Sequence, residues 1–175
     1  MVTTILIVLV ALVVGVLVMA STKPATFRIE RSISIHAPPD RIFGLIDDFR
    51  QWPRWSPWEN VDPTMTRTLS GAASGVGAAY AWLGNNKVGQ GRMEITASVP
   101  PSRVTIQLDF LKPFEAHNIA EFTLTQAGEA TNVTWAMHGP NRFVSKIMSV
   151  FVSFDRMVGK DFEAGLAAMK AAAEG

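Results

Sequence analysis

The chain has 175 residues, 48% of them apolar and 18% charged, with no cysteine and a formal net charge of +1. That length holds one ordinary domain with a full core plus an appendage. Zero cysteine excludes a disulfide scaffold, a Cys-based zinc site, an iron–sulfur cluster and a thiol nucleophile. Sixteen Lys and Arg against fifteen Asp and Glu give no global electrostatic reason to expect a nucleic-acid partner.

The charge is unevenly placed, because every charged side chain lies at or after Lys23. Within residues 5–19, twelve of fifteen are Ile, Leu or Val. A helix over 2–20 would be about 28 Å long, against a bilayer hydrocarbon core of about 30 Å. A buried globular helix needs no apolar residues on every face, so 1–22 is read as a single-pass transmembrane anchor. The competing readings are a buried soluble helix and a cleaved signal peptide, with Val18-Met19-Ala20 before Ser21 as the cleavage site. Against cleavage, no Lys or Arg precedes the run, and the run exceeds the roughly 7–15 residues of a signal-peptide core. Lys23, Arg28 and Arg31 follow the segment, which favours a cytoplasmic domain by the positive-inside tendency. Arg28 and Arg31 belong to a strand, so that preference rests mostly on Lys23.

Residues 23–27 form a linker and the start of the first strand, and 28–175 the domain. Over 26–35, Phe27, Ile29, Arg31, Ile33 and Ile35 alternate with Arg28, Glu30, Ser32 and Ser34, the pattern of a half-buried strand. Pro38-Pro39 breaks it and suits the first turn of a short helix over 40–48. Residues 50–60 hold three Trp and two Pro and exclude regular structure. Strands follow over 65–69, 77–83, 88–99, 103–111, 117–125 and 131–138, joined by short turns, so the sheet is an antiparallel meander. From 139 to about 173 a single long helix is expected. Its apolar stripe includes Phe143, Ile147, Val150, Phe154, Val158, Phe162, Leu166 and Met169. The open face of the sheet is the partner available to bury that stripe. The fold class is therefore α+β: a curved antiparallel sheet wrapped round a long C-terminal helix.

This order of elements resembles the START/Bet v 1-like superfamily, also called SRPBCC, with its helix-grip fold. Residues 29–58 (IERSISIHAPPDRIFGLIDDFRQWPRWSPW) resemble the opening of bacterial polyketide cyclase/dehydrase-type members. Gly75-x-Gly77, Trp82-x-Gly84-Asn85 and Gly89-x-Gly91-x-Met93-x-Ile95 resemble the following hairpin of a membrane-anchored subgroup. The resemblance implies a cavity between sheet and long helix, and a superfamily that contains lipid carriers, cyclases, quinone-binding proteins and chaperone regulators.

The default site is that apolar cavity. Inward strand positions and the helix stripe supply its candidate lining: Tyr80, Trp82, Met93, Ile95, Ile106, Leu108, Phe122, Trp135, Met137, Phe151, Phe154, Met157 and Phe162. The competing reading is that these side chains simply fill the core. Of the Trp-rich turn, Trp52 and Trp55 are expected to plug the sheet end and Trp58 to reach a ligand. Asp161 interrupts the apolar stripe and is the ionisable residue most suited to face the cavity. Glu94, Asp109, His117 and Glu121 share parity with the solvent face. His36, His117 and His138 are too dispersed for a metal motif, and the Gly-rich 71–77 opens a strand rather than a helix, so neither a metal nor a phosphate-bearing cofactor is expected. The favoured function is binding of a small hydrophobic or lipid-like ligand by a membrane-anchored START-like domain, without catalysis. The alternatives are a cyclase/aromatase-like enzyme using Asp161, Tyr80 or His138, and a chaperone-regulator-like protein-binding module with a solid core.

Overall fold

The computed structural model describes all 175 residues. An apolar helix α1 (Val2–Ser21) precedes strand β1 (Thr26–Ile35). Helix α2 (Pro39–Asp47) and two 3-10 helices (Phe49–Arg54 and Pro57–Asn60) follow. Then come β2 (Thr66–Gly71), β3 (Ala78–Leu83), β4 (Gln90–Val99), β5 (Arg103–Lys112), β6 (Ala116–Ala127) and β7 (Ala130–Pro140). Helices α3 (Phe143–Phe151) and α4 (Phe154–Glu174) end the chain. The seven strands form one antiparallel sheet in the order β1-β7-β6-β5-β4-β3-β2. β1 reaches across to β7, its partner at the other end of the sequence, and the rest is a meander.

Alternation along each strand lays side chains on the concave face in rows across the sheet. One row is Ile29, Met137, Ala120, Ile106 and Ile95. All five are buried. The neighbouring row is Arg31, Trp135, Phe122 and Val104. α4 lies over this part of the face, above β1 and β7, and buries Phe162, Leu166, Met169 and Ala173. The Phe162 ring stacks on the Trp135 indole at 4.1 Å between centroids, with 5° between the planes. Arg31, the one charged residue of its row, donates to Asp155 at 3.1 Å and Glu163 at 2.8 Å, two residues eight apart on α4. Between them sits Gly159, where a Cβ would lie 2.0 Å from the guanidinium. Glycine is what lets the arginine lie flat against the helix.

The Trp-rich segment closes one end of the sheet. The indole N–H of Trp55 donates to the Leu45 carbonyl at 2.8 Å, and that of Trp52 to Ile46 at 3.0 Å. These carbonyls belong to the last turn of α2, which has no helical partners for them. Both rings are buried and pack on Phe122, so they form the plug that their position in the sequence suggests.

The C-terminal region departs from the sequence reading. The single helix expected over 139–173 is two helices, and β7 runs on to Pro140. Val152 and Ser153 are extended at the break, and the Ser153 hydroxyl accepts from the Arg156 N–H at 3.3 Å, capping α4. α3 packs not on the sheet but on α1. Its stripe continues that of α4 in the sequence yet faces another surface. Two substitutions separate these roles. Phe162→Ala should destabilise the protein by about 3–5 kcal/mol, the usual cost of deleting a fully buried aromatic. Phe151→Ala, at a position 72% exposed, should change stability by less than about 0.5 kcal/mol. Urea-denaturation midpoints of the two variants check both values.

Candidate functional site

The concave face is sealed where α4 and the plug cover it and opens toward the other end of the strands. The row beyond Ile29–Ile95 contains Phe27, Gly139, Asn118, Leu108, Met93 and Tyr80. The outermost row contains Phe110, Gly91 and Trp82. Phe27, Leu108, Phe110 and Trp82 are half-buried although they point inward. α4 lies chiefly over β1 and β7, so Leu108 and Phe110 of β5 and Trp82 of β3 are left partly uncovered on the concave face and form a shallow apolar groove, while Phe27 of β1 lies against Phe154 of α4. Trp58 stands over the covered end of the groove, edge-on to Trp135 at 5.6 Å and to Phe162 at 6.2 Å, and is itself half-buried.

Two glycines shape the floor. A Cβ on Gly91 would fall 2.3 Å from the Trp82 ring, so its absence lets the indole lie across β4 toward Phe110, 5.8 Å away. A Cβ on Gly139 would fall 2.3 Å from Asn118 Oδ1. Asn118 therefore tucks its amide over β7 on the concave face. It is 6% exposed, and its side-chain amide has no hydrogen-bond partner within the chain. Its amide atoms keep contact with solvent, so they are not stranded in the core; the Trp135 indole N–H is the buried side-chain polar atom without a partner.

Glu59 fixes the edge of the groove. This carboxylate is 6% exposed; it accepts from the Tyr80 hydroxyl at 2.7 Å and pairs with the Arg67 guanidinium, which also reaches the Glu59 carbonyl at 2.9 Å. The triad ties the 3-10 helix that carries Trp58 to β2 and β3. Burial, and then the Glu59 carboxylate, hold the Tyr80 phenol above its ordinary pKa. The hydroxyl is thus a fixed donor to Glu59.

The fifteen candidate residues fall into three groups. Tyr80, Met93, Ile95, Ile106, Phe122, Trp135, Met137 and Phe162 are buried in the continuous core. Trp58, Trp82, Leu108 and Asp161 are half-buried, the first three around the groove. Phe151, Phe154 and Met157 are 72%, 46% and 51% exposed, outside any enclosed space. The space under α4 is filled by the Trp135–Phe162 stack and its neighbours. The hollows of about 220 Å³ beside Phe49, Leu69 and Ala78 and of about 380 Å³ beside Asp40 and Gln51 lie elsewhere on the surface. Asn118, Glu59 and Arg67 were not singled out from the sequence. The parity of β6, which puts Asn118 in line with Ala120, Phe122 and Leu124, was the available signal for Asn118. Glu59 and Arg67 had none, since a loop residue and an edge-strand residue meet only in three dimensions.

On the convex face, His117 bridges Asp109 at 2.8 Å and Glu115 at 3.1 Å. Hydrogen bonds to these two carboxylates raise the imidazole's pKa. Asp161 lies one turn ahead of Gly165, where a Cβ would meet Trp135 at 2.8 Å and Pro57 at 3.0 Å. Its carboxylate thus occupies the α4 flank nearest the Trp-rich turn. It makes no ion pair, and desolvation alone raises its pKa above 3.8. A carboxylate raised on folding lowers stability as pH climbs from the unfolded value through the folded one, because the native state must release its proton against burial. Asp161→Asn should therefore raise the melting temperature near neutral pH, with the gain disappearing as pH falls below about 3.8. Paired thermal melts across that range measure the difference.

The fold is shared with several solved proteins. The Aha1 dimer protein from Colwellia psychrerythraea matches with a TM-score of 0.61 and 20% identity, over 85% of this chain and 96% of that one. The di-domain ARO/CYC BexL of the BE-7585A biosynthetic pathway matches at 0.62 and 13% identity, over 90% of this chain and 53% of that one. Ginseng major latex-like protein 151 from Panax ginseng matches at 0.57 and 15% identity, over 86% and 99%. No protein of curated function matches. At these identities the likeness concerns the fold. The family model described as "Polyketide cyclase / dehydrase and lipid transport" matches residues 26–174, nearly all of the chain beyond α1, and on that match the chain belongs to this family.

Proposed function

We propose that the chain binds a small hydrophobic or lipid-like molecule in the side groove, within a domain that α1 tethers to the membrane. The observation that carries the reading is the outer pair of rows. Inward-pointing Leu108, Phe110 and Trp82 keep part of their apolar surface exposed, and Asn118, paired across the sheet with Leu108, has a side-chain amide with no protein partner. Covering that surface would contribute about 25 cal/mol per Å². Asn118 would orient a carbonyl, carboxyl or hydroxyl group at the end of an apolar body. The buried rows act as the rigid floor.

α1 is the one helix long and apolar enough to cross a membrane. Retention of α1 fits its packing: α1 is in contact with α3, and Val16 and Ala20, four residues apart, are withdrawn from solvent, Ala20 fully. Cleavage after Ala20 would remove this contact. A tether keeps the groove beside the phase in which apolar ligands dissolve. The enzymatic alternative has little support from the groove, since the Tyr80 hydroxyl is held by Glu59 and His138 shares parity with the convex-facing Arg28 register.

Titration of residues 23–175 with a fluorescent polyene fatty acid tests the binding reading. Saturable binding at one site is expected. Leu108→Trp, which fills the groove without entering the core, should weaken it by about tenfold or more, near 1.4 kcal/mol. Asn118→Leu should weaken the fatty acid but not its parent hydrocarbon. Absence of saturable binding, or equal affinity in Leu108→Trp, contradicts the reading.

A further inference from the structure

α3 is amphipathic, yet its apolar face is uncovered. Phe143, Val144, Met148 and Phe151 are 51%, 64%, 53% and 72% exposed. At 100° per residue they occupy one side of the helix. Ser145 and Ser149 lie away from that side; Lys146, Ser149 and Val150, outside the apolar arc, and Ile147, within it, are partly withdrawn from solvent, and α3 as a whole packs on α1. The surface continues past the break, where Phe154 and Met157 are 46% and 51% exposed. Monomeric soluble proteins rarely leave contiguous apolar surface of this kind uncovered.

The neighbours of this surface indicate what covers it. α3 packs on α1, and the α1 residues withdrawn from solvent, Val16 and Ala20, lie in its last two turns, where a membrane-crossing helix would emerge from the hydrocarbon. Between residues 142 and 160 there are four basic side chains (Arg142, Lys146, Arg156 and Lys160) and one acidic one, Asp155, which Arg31 neutralises. Lys23 follows α1 directly. An exposed apolar face bordered by unopposed positive charge is the signature of a helix lying in the headgroup–acyl boundary, about 5–10 Å deep.

We infer that α3 and the first turn of α4 form an interfacial membrane-binding surface that inserts into an anionic lipid leaflet beside α1. The surface reaches the row that floors the groove: the Phe154 ring packs edge-on to Phe27 at 5.9 Å, and Phe27 shares that row with Asn118 and Leu108, two and three strands away. The insertion would hold the groove mouth against the lipid, so an apolar ligand could pass between them with little exposure to water. This inference rests on the tethered-domain reading above.

The chain has no cysteine, so single-site labelling of the full-length protein is direct. Met148→Cys and Phe151→Cys would each carry an environment-sensitive fluorophore in phosphatidylcholine–phosphatidylglycerol vesicles. Val10→Cys reports on α1, and Ser102→Cys, in the distant β4–β5 turn, on the aqueous side. The expected result is a blue shift and loss of most of the emission at 148 and 151 with spin-labelled acyl chains, no response there to aqueous iodide, and iodide quenching at 102. Iodide quenching at 148 and 151 overturns the inference. So does shielding from both quenchers, which would mean that a second copy of the chain covers the face. The Val10 label separates the two readings: lipid quenching at 10 with iodide quenching at 148 and 151 leaves the tether intact and removes the interfacial helix. The reverse pattern leaves the interfacial helix and removes the tether.

Discussion

The stack of Phe162 on Trp135 fixes the rest of the architecture. Two flat rings 4.1 Å apart and nearly parallel place α4 over β7 at one position along the strand. Trp135 is in turn packed by Trp55, Trp58 and Phe122, so the helix, the plug and the sheet meet at a single aromatic node. Arg31 adds a polar clamp on the β1 side, where Gly159 provides the space. A helix about 10 Å wide covers two or three strands of a sheet whose neighbours are about 4.8 Å apart. Held at the β1–β7 edge, α4 leaves β3, β4 and β5 to be covered by something else. The Trp-rich turn covers one end. The other end is the groove.

Most of the fold was legible in the sequence because strand parity is a strong constraint. A slip of one residue would turn Ile29, Ile106 or Phe122 out to solvent. The seven strands, the short helix, the plugging role of Trp52 and Trp55 and the solvent-facing parity of Asp109 and His117 all follow from alternation and turn chemistry. The helix break did not follow from periodicity. Apolar spacing runs unbroken from Phe143 through Phe162, yet it serves two surfaces: the face of α3 directed outward and the face of α4 on the core. Ser153, with Asp155 in the first turn after it, was the local sign of a new helix start. The candidate lining divides for a related reason. Parity tells which side of the sheet a residue faces, and the position of α4 along the strands decides whether that side is sealed or open.

The polar groups of the open half form a small economical set. Glu59 is fully committed to Tyr80 and Arg67 and holds the Trp58 turn in place. Asn118 is the amide left without a protein partner, while Asp161, which makes no ion pair, stands at the covered end beside the Trp-rich turn. In the proposed reading, apolar surface, one neutral polar point and an exposed apolar helix together serve a ligand that moves between protein and bilayer.

Photo-labelling measures the central claim most directly. The full-length chain in vesicles is irradiated with a fatty acid carrying a diazirine near its tail, and the modified residues are identified by mass spectrometry. The expected result is modification concentrated at Leu108, Phe110, Trp82 and Trp58, suppressed by excess unlabelled fatty acid and by Leu108→Trp. Modification confined to α1 and α3, with the concave face untouched, would contradict the groove as the ligand site.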